Sequence, residues 1–110
     1  MGADILTVTD RDFQQQVLGS ELPVLVDFWA PWCVPCHLVA PVVEQIAAEQ
    51  AGRLRVAKLN VDDSQQTAQR FGVLSIPTLI LFGGGQELGR VVGAQGKDDI
   101  VRMLLGDAVA

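Results

Sequence analysis

The sequence predicts an α/β domain with a central mixed sheet of four to five strands and helices on both of its faces. Three observations lead to this prediction. Residues 23–29 and 54–61 are almost continuously apolar, which is typical of strands that are covered on both sides. The segment between them has the apolar spacing of a helix, and such a strand-helix-strand unit places its strands in parallel. Apolar stretches on either side of Gly83-Gly84-Gly85 predict a hairpin, which adds an antiparallel pair.

In the first half of the chain, capping residues and apolar spacing define the elements. Residues 5–8 predict a short strand. Thr9 or Asp10 can then cap a helix that Gly19 ends, because their side chains accept hydrogen bonds from the free N–H groups of a first turn. After the first buried strand, apolar residues recur at helical spacing in a longer helix that stops near Gly52.

After the second buried strand, the sequence predicts a helix, the hairpin and a last helix. Asp63 or Ser64 can cap the first of these helices, which ends at Gly72. The last helix begins near Asp98 and Asp99, whose negative charges suit a helix N-terminus. The predicted order is therefore β-α-β-α-β-α-β-β-α.

Length, composition and charge restrict the class of protein. A chain of 110 residues, 49% of them apolar, suffices for one domain over residues 1–110 with a real core. The formal net charge is −5 and the basic residues are scattered, which argues against nucleic acid and anionic membranes as partners. The apolar runs are far shorter than the roughly 18 residues of a membrane span, and no export signal is recognisable. We therefore expect a cytoplasmic protein that acts as a monomer and binds neither nucleic acid nor membrane.

Residues 33–37, Cys-Val-Pro-Cys-His, contain both cysteines and the single histidine of the chain. The C-x-x-C-H spacing is that of c-type haem attachment, and C-x-x-C also occurs in redox dithiols, zinc sites and structural disulfides. A structural disulfide that closes four residues would contribute only about 2 kcal/mol. Structural zinc needs four ligands, more than this motif supplies, and haem iron would take its sixth ligand only from Met1 or Met103.

The position of the motif favours a redox dithiol. Cys33 lies between a buried strand and the start of a helix, where backbone N–H groups without intrahelical partners point outward. A thiolate is stabilised in such a position, and its pKa is lowered. Cys36 lies one turn further on the same side of the helix, so one sulfur can attack a substrate disulfide and the other can resolve the mixed disulfide.

The segment around the motif resembles the active-site segment of the thioredoxin family. The matching stretches, in family order, are Val26-Asp27-Phe28-Trp29, Trp29-Ala30-Pro31-Trp32-Cys33-Val34-Pro35-Cys36, Lys58-Leu59-Asn60-Val61-Asp62, Ser75-Ile76-Pro77-Thr78 and Gly93. The resemblance covers essentially the whole chain. It implies a thioredoxin-like fold and a thiol-disulfide oxidoreductase that reduces disulfide-containing proteins. It also implies an NADPH-dependent thioredoxin reductase as electron donor, with no bound cofactor and no metal.

Asp27 stands in the middle of the first buried strand, where a carboxylate is costly. Burial would raise its pKa and let it accept a proton near neutral pH, whereas at a sheet end its side chain would reach water. The resemblance makes Cys33 the nucleophile and Asp27 the general base for Cys36. It also puts Lys58 close to Asp27, where its charge would lower the carboxyl pKa, unless the ammonium extends to the surface.

The resemblance also implies a substrate-binding surface. Trp32 lines it, and a cis Ile76–Pro77 bond brings that loop against the cysteines. The Ile76 backbone would then pair with an extended substrate segment. Gly93, which has no side chain, would let the substrate approach, although a glycine also suits a strand-ending turn.

Two positions depart from the family pattern. Val34 replaces the usual glycine between the cysteines, whereas Pro35 keeps the turn stiff. These two residues are expected to tune the redox site, because bulk beside the nucleophile alters access or the relative stability of dithiol and disulfide. His37 stands where the family has lysine or arginine. The charge of a histidine changes in the neutral pH range, so His37 would act electrostatically on the thiolate. The alternative is that His37 is an exposed residue of the first helical turn with little effect.

Two other functions are compatible with the same residues. One is a thioredoxin-fold oxidase or isomerase of an oxidising compartment. The other is a chaperone-like module that holds peptides without turnover and would keep that activity without either cysteine.

Overall fold

A mixed sheet between two layers of helix makes up the fold of the computed structural model, which describes residues 4–106. Its strands are β1 Ile5–Thr7, β2 Val24–Trp29, β3 Arg55–Asn60, β4 Thr78–Gly83 and β5 Gln86–Val92. Its helices are the π-helical α1 Gln14–Leu18, then α2 Val34–Glu49, α3 Gln65–Arg70 and α4 Lys97–Ile100, which the π-helical segment Val101–Leu105 extends. The predicted order and the predicted fold class are confirmed.

The sheet order β1-β3-β2-β4-β5 places β2 and β3 inside the sheet. β3 runs parallel to β1 and β2, whereas β4 runs antiparallel to β2 and β5. Gly84 and Gly85 join β4 to β5 with φ angles of 60° and 80°. These left-handed conformations suit glycine, and a two-residue turn of this kind matches the twist of hairpin strands.

The strand directions bring three strand ends to one edge of the sheet. Trp29 at the end of β2 is in register with Asn60 at the end of β3. Phe28 is in register with Thr78, the first residue of β4. The loops after β2 and β3 and the loop before β4 therefore meet at this edge, and the first and last of these loops carry Trp32, Cys33, Ile76 and Pro77.

Each face of the sheet has its own apolar core. On one face, α2, α4 and its extension cover a cluster that includes Leu25, Val39, Val43, Ile46, Val56, Leu79, Ile100 and Leu105. On the other face, α1 and α3 cover a cluster that includes Phe13, Val17, Val26, Phe28, Ala68, Ile80 and Phe82. Within residues 4–106, no helix has both the length and the apolar character to cross a bilayer.

The predicted N-caps are right only in part. Ser64 occupies the N-cap position of α3 as predicted, although its side chain makes no cap hydrogen bond, whereas α1 begins later than expected and neither Thr9 nor Asp10 is its N-cap residue. Instead, the Asp10 carboxylate accepts the N–H groups of Gln66 (3.2 Å) and Thr67 (2.8 Å) at the start of α3. The partner lies more than 50 residues away in sequence, so a local capping pattern cannot reveal it.

Candidate active site

Cys33 lies directly before α2, in the N-cap position, with an extended backbone. Its sulfur accepts a hydrogen bond from the Cys36 N–H at 3.2 Å. Val34 and Pro35 form the first turn, where a proline costs nothing because its missing N–H would have no intrahelical partner. Val34 is largely exposed beside Cys33. The predicted placement of the sulfur on the free N–H groups of a helix start is confirmed.

The two cysteines are joined in a disulfide, with their Cα atoms 5.3 Å apart. Both residues are buried, and they pack with Ala30 against Val61 and Ile76. The disulfide is therefore packed among apolar side chains at this edge of the sheet. The pair closes within the first helical turn of α2.

The loop before β4 lies against this disulfide. The Ile76–Pro77 peptide bond is cis, as the resemblance implied. The carbonyl oxygen of Ile76 is 3.8 Å from the Cys33 sulfur. The Gly93 N–H donates to the Pro77 carbonyl at 2.8 Å, and Gly93 has a φ of 92°, which favours glycine. A Cβ atom at Gly93 would meet no atom within 4 Å outside its chain neighbours, so the space beside it is open.

Asp27 is buried on the face of the sheet that α2 covers. Only 1% of it is exposed, which excludes the alternative in which its side chain reaches water. Neither carboxylate oxygen has a hydrogen-bond partner among the described residues. Burial raises the pKa of Asp27 to about 6, although the positive charge of Lys58 acts to lower it. The carboxylate is therefore poised to exchange a proton near neutral pH.

Lys58 is in register with Asp27 on the neighbouring strand β3. Its Nζ lies 4.4 Å from the centre of the Trp29 ring, which gives a cation–π contact. The ammonium is therefore close enough to act on the Asp27 pKa, yet it forms no ion pair with this carboxylate. Lys58 is half-buried, and its charge acts to lower the pKa of Asp27 as the resemblance implied.

Trp32 stands on the surface, 67% exposed, immediately before Cys33. Its indole N–H donates to the Asp62 carboxylate, with a distance of 2.9 Å to Oδ2. Sequence reasoning did not single out Asp62, or Leu74 in the loop before Ile76. For Leu74 a signal was present, because a large apolar residue stands among turn residues just before the Ser75-Ile76-Pro77 segment.

His37 is turned toward the loop that precedes the cysteines. Its Nε2 lies 2.7 Å from the Pro31 carbonyl oxygen, so Nε2 carries the proton and donates it. The planes of its ring and of the Trp29 ring are nearly perpendicular, with 6.2 Å between ring centres. Across residues 4–106, no three His, Cys, Asp or Glu side chains group closely enough to hold a metal ion.

Comparison with known proteins agrees with this site. The thioredoxin family model matches residues 4–105. Thioredoxin 1 of Nostoc sp. is 53% identical over 97 residues, which cover 88% of this chain and 91% of the relative. The thioredoxin of Mycobacterium bovis is 58% identical over 99 residues, 90% of this chain and 85% of the relative. The bifunctional thioredoxin reductase/thioredoxin of Mycobacterium leprae is 57% identical over 99 residues, 90% of this chain and 22% of that longer protein.

The geometry and the relatives lead to one function. The cysteine pair forms a redox-active disulfide, and the chain is a protein-disulfide oxidoreductase. It acts on disulfide-containing proteins and depends on a reductase to return its cysteines to the dithiol. This function is favoured over an oxidase, an isomerase or a binding module that does no chemistry. The chain belongs to the thioredoxin family.

Proposed function

We propose that the chain reduces client disulfides through a mixed disulfide on Cys33, which Cys36 resolves while Asp27 takes the Cys36 proton. One observation carries this assignment: the Cys33 sulfur sits at the start of α2 and accepts the Cys36 N–H. This is the atom whose negative charge the helix N-terminus stabilises, so Cys33 is the better nucleophile of the pair.

The first step begins from the dithiol. The Cys33 thiolate attacks one sulfur of the client disulfide, a Cys33–client S–S bond forms and the client S–S bond breaks. The other client sulfur leaves as a thiolate and takes a proton from water. Trp32 and the Ile76–Pro77 loop border the reacting sulfur, and an extended client segment pairs with the Ile76 backbone beside the open space at Gly93.

The second step releases the client. Cys36 gives its proton to Asp27 and attacks the Cys33 sulfur, so that the Cys33–Cys36 disulfide forms and the second client sulfur leaves as a thiolate. With a pKa raised to about 6, Asp27 is ionised at neutral pH and is still basic enough to accept the proton. A carboxylate of ordinary pKa would be a weaker base for a thiol. Val34 and Pro35, in the turn between the two sulfurs, tune the balance between dithiol and disulfide.

The oxidised protein then needs two electrons. We propose that a thioredoxin reductase supplies them from NADPH, since a relative carries reductase and thioredoxin in one chain. We further propose that the protein works as a monomer in the cytoplasm. A reducing compartment favours the dithiol form, and the largely exposed Trp32 and Val34 leave the site open to clients.

Insulin reduction with thioredoxin reductase and NADPH tests these assignments. The unmodified protein is expected to turn over, and Cys33→Ser is expected to be inactive. Cys36→Ser is expected to attack once and then accumulate as a covalent adduct with the client, which intact-mass measurement detects. Adducts on Cys33→Ser instead of Cys36→Ser would reverse the assigned roles, and turnover by Cys33→Ser would contradict the dithiol mechanism. No turnover by the unmodified protein would contradict the proposed function.

A further inference from the structure

Arg90 on β5 binds the end of α3. Its Nη2 donates to the Phe71 carbonyl at 2.6 Å, and its Nη1 donates to the Gly72 carbonyl at 3.4 Å. Phe71 is the C-cap residue of α3, and carbonyls at a helix C-terminus have no N–H partner within the helix. The helix dipole also favours a cation at this end. Arg90 therefore supplies from β5 the hydrogen bonds that the end of α3 cannot make for itself.

Glu87 holds the Arg90 side chain in this position. Its two carboxylate oxygens accept hydrogen bonds from Nε and Nη2 of Arg90, each at 2.7 Å. A bidentate pair of this kind fixes the plane of the guanidinium. The hydrogen bonds from Arg90 lower the pKa of Glu87, so both groups are charged at neutral pH. Since the two side chains are only 31% and 29% exposed, the pair differs from the freely solvated ion pairs that contribute little.

The carbonyls that Arg90 binds stand at the start of the loop that lies against the disulfide. This loop runs from Gly72, which has a φ of 64°, to Pro77. Leu74 in its middle is 97% exposed, so packing fixes the loop only in part. At the far end, Gly93 directly after β5 donates its N–H to the Pro77 carbonyl at 2.8 Å. Both ends of the loop are therefore attached to β5 and the residue that follows it.

The position of this loop determines where the Ile76 carbonyl lies, which is 3.8 Å from the Cys33 sulfur. In the proposed function, a client segment pairs with the Ile76 backbone while Cys33 attacks the client disulfide. Misplacement of a reacting group by about 1 Å can cost about 100-fold in rate. A client is therefore aligned best when Ile76 is already in place, whereas a small disulfide without a peptide backbone has no such requirement.

We propose that Arg90, held by Glu87, is a positioning residue for the reduction of client proteins. It acts through the Phe71 and Gly72 carbonyls and keeps the loop up to Pro77 in the place where the Ile76 backbone receives a client. This inference rests on the proposed function.

The test uses Arg90→Met, which removes the hydrogen bonds and keeps an unbranched apolar side chain. The Phe71 ring still packs against Phe13 and Phe82, so the end of α3 is expected to stay on the core. Second-order rate constants are measured for the pre-reduced protein with a disulfide-linked dimer of a short peptide. Bis(2-hydroxyethyl) disulfide, which has no backbone to pair, is the reference substrate.

Arg90→Met is expected to slow the reaction with the peptide about fivefold to tenfold, in line with the loss of hydrogen bonds from a charged group. The rate with the reference disulfide is expected to be unchanged. An unchanged rate with the peptide, or equal slowing with both substrates, would overturn the inference. If the unmodified protein does not reduce even the reference disulfide, the proposed function itself fails.

Hydrogen exchange measures the loop directly, in the oxidised protein and without a client. The Val73 N–H donates to the Ala68 carbonyl at 2.9 Å, directly after the carbonyls that Arg90 binds. In Arg90→Met this N–H is expected to exchange about fivefold faster, because the start of the loop opens more often. The Leu54 N–H, which donates to the Gln50 carbonyl at the other end of the fold, is expected to keep its rate. Faster exchange at both positions would indicate a general loss of stability and contradict a positioning role.

Two further variants separate the geometry of Arg90 from its charge. Arg90→Lys keeps a cation at the end of α3 but lacks the planar fork of donors, so it is expected to recover only part of the peptide rate. Arg102→Met removes the arginine of another ion pair with the same spacing, the pair with Asp99, and is expected to behave like the unmodified protein. A loss of the peptide rate in Arg102→Met as large as in Arg90→Met would also overturn the inference.

Discussion

Asp27 and Lys58 stand opposite each other on the parallel strands β2 and β3, and yet they form no ion pair. The Lys58 ammonium lies over the Trp29 ring instead. The Asp27 carboxylate is left buried without a hydrogen-bond partner. The nearby positive charge of Lys58 lowers its pKa, but less than burial raises it. A direct ion pair would lower the pKa far below neutrality and make Asp27 a poor base.

Replacing Asp27 with Asn is expected to stabilise the oxidised protein at neutral pH. The folded pKa of about 6 lies above the ordinary 3.8, so the folded protein binds the Asp27 proton more tightly than the unfolded chain does. The contribution of Asp27 to the free energy of unfolding is therefore fully present below about pH 4, and it is lost as the pH rises through about 6. The loss amounts to about 3 kcal/mol at pH 8.

Denaturant unfolding of both proteins between pH 4 and pH 8 checks this prediction. The stability gain of Asp27→Asn is expected to be close to zero at pH 4 and to grow toward pH 8. Asp4→Asn, an exposed change, is the matched control and is expected to show no such trend. A gain that is independent of pH would mean that the carboxylate charge is not its cause.

The same variant is expected to slow the release of the client. Asn cannot accept the Cys36 proton, and general base catalysis typically contributes at least about 100-fold. Rapid-quench measurement is expected to show that the mixed disulfide forms at the same rate as in the unmodified protein. Its decay is expected to be about 100-fold slower. Equal slowing of both steps would indicate a structural effect of Asp27 instead.

Lys58→Met is expected to raise the pKa of Asp27 further. Burial pushes this pKa upward and the Lys58 charge is the opposing influence, so its removal leaves burial alone. An NMR titration of the Asp27 carboxyl carbon measures the change. Lys97→Met removes a cation that is paired with Glu49, and the Asp27 titration is expected to be the same as in the unmodified protein. An unchanged titration in Lys58→Met would exclude the proposed coupling.

Asp10→Ala is expected to destabilise the protein by about 1 kcal/mol, the usual cost of a lost helix cap. Although burial acts to raise the pKa of Asp10, hydrogen bonds from Thr67 and Gln66 bring it below its ordinary value. The stabilisation is therefore present above about pH 4 and is lost as pH falls through the lowered pKa. Thermal unfolding at pH 7 and pH 2 measures it, with the exposed change Glu44→Ala as control. The same loss at both pH values would contradict an ionic cap.

Local sequence patterns predicted the order of elements because each pattern reports on burial of its own segment. The apolar run around Asp27 predicted an interior strand, and the same run made the carboxylate conspicuous. The cap of α3 could not be predicted from local sequence, because the Asp10 carboxylate that accepts the Thr67 N–H is distant from α3 along the chain. Leu74 was not predicted for a different reason: its place just before the Ser75-Ile76-Pro77 segment was a signal, but only the structure shows that it borders a groove beside Cys33.

His37 joins the first turn of α2 to the loop before Cys33. Its backbone N–H donates to the Cys33 carbonyl at 3.3 Å, and its side chain donates to the Pro31 carbonyl. The ring therefore restrains the segment that carries Trp32. Since both the neutral Nε2–H tautomer and the imidazolium can donate this bond, the restraint is retained in either protonation state.

His37→Ala is expected to slow the first attack about threefold to fivefold, in line with the net contribution of about 1 kcal/mol of one hydrogen bond. Single-turnover rates with a peptide disulfide between pH 6 and pH 8 measure this effect. His37→Gln can donate from its amide and is expected to recover part of the rate, whereas Leu38→Ala, the exposed neighbour, is expected to change nothing. A restraint predicts the same loss at every pH, because the bond does not depend on charge. A loss that appears only at the acidic end would instead assign His37 an electrostatic action on the Cys33 thiolate.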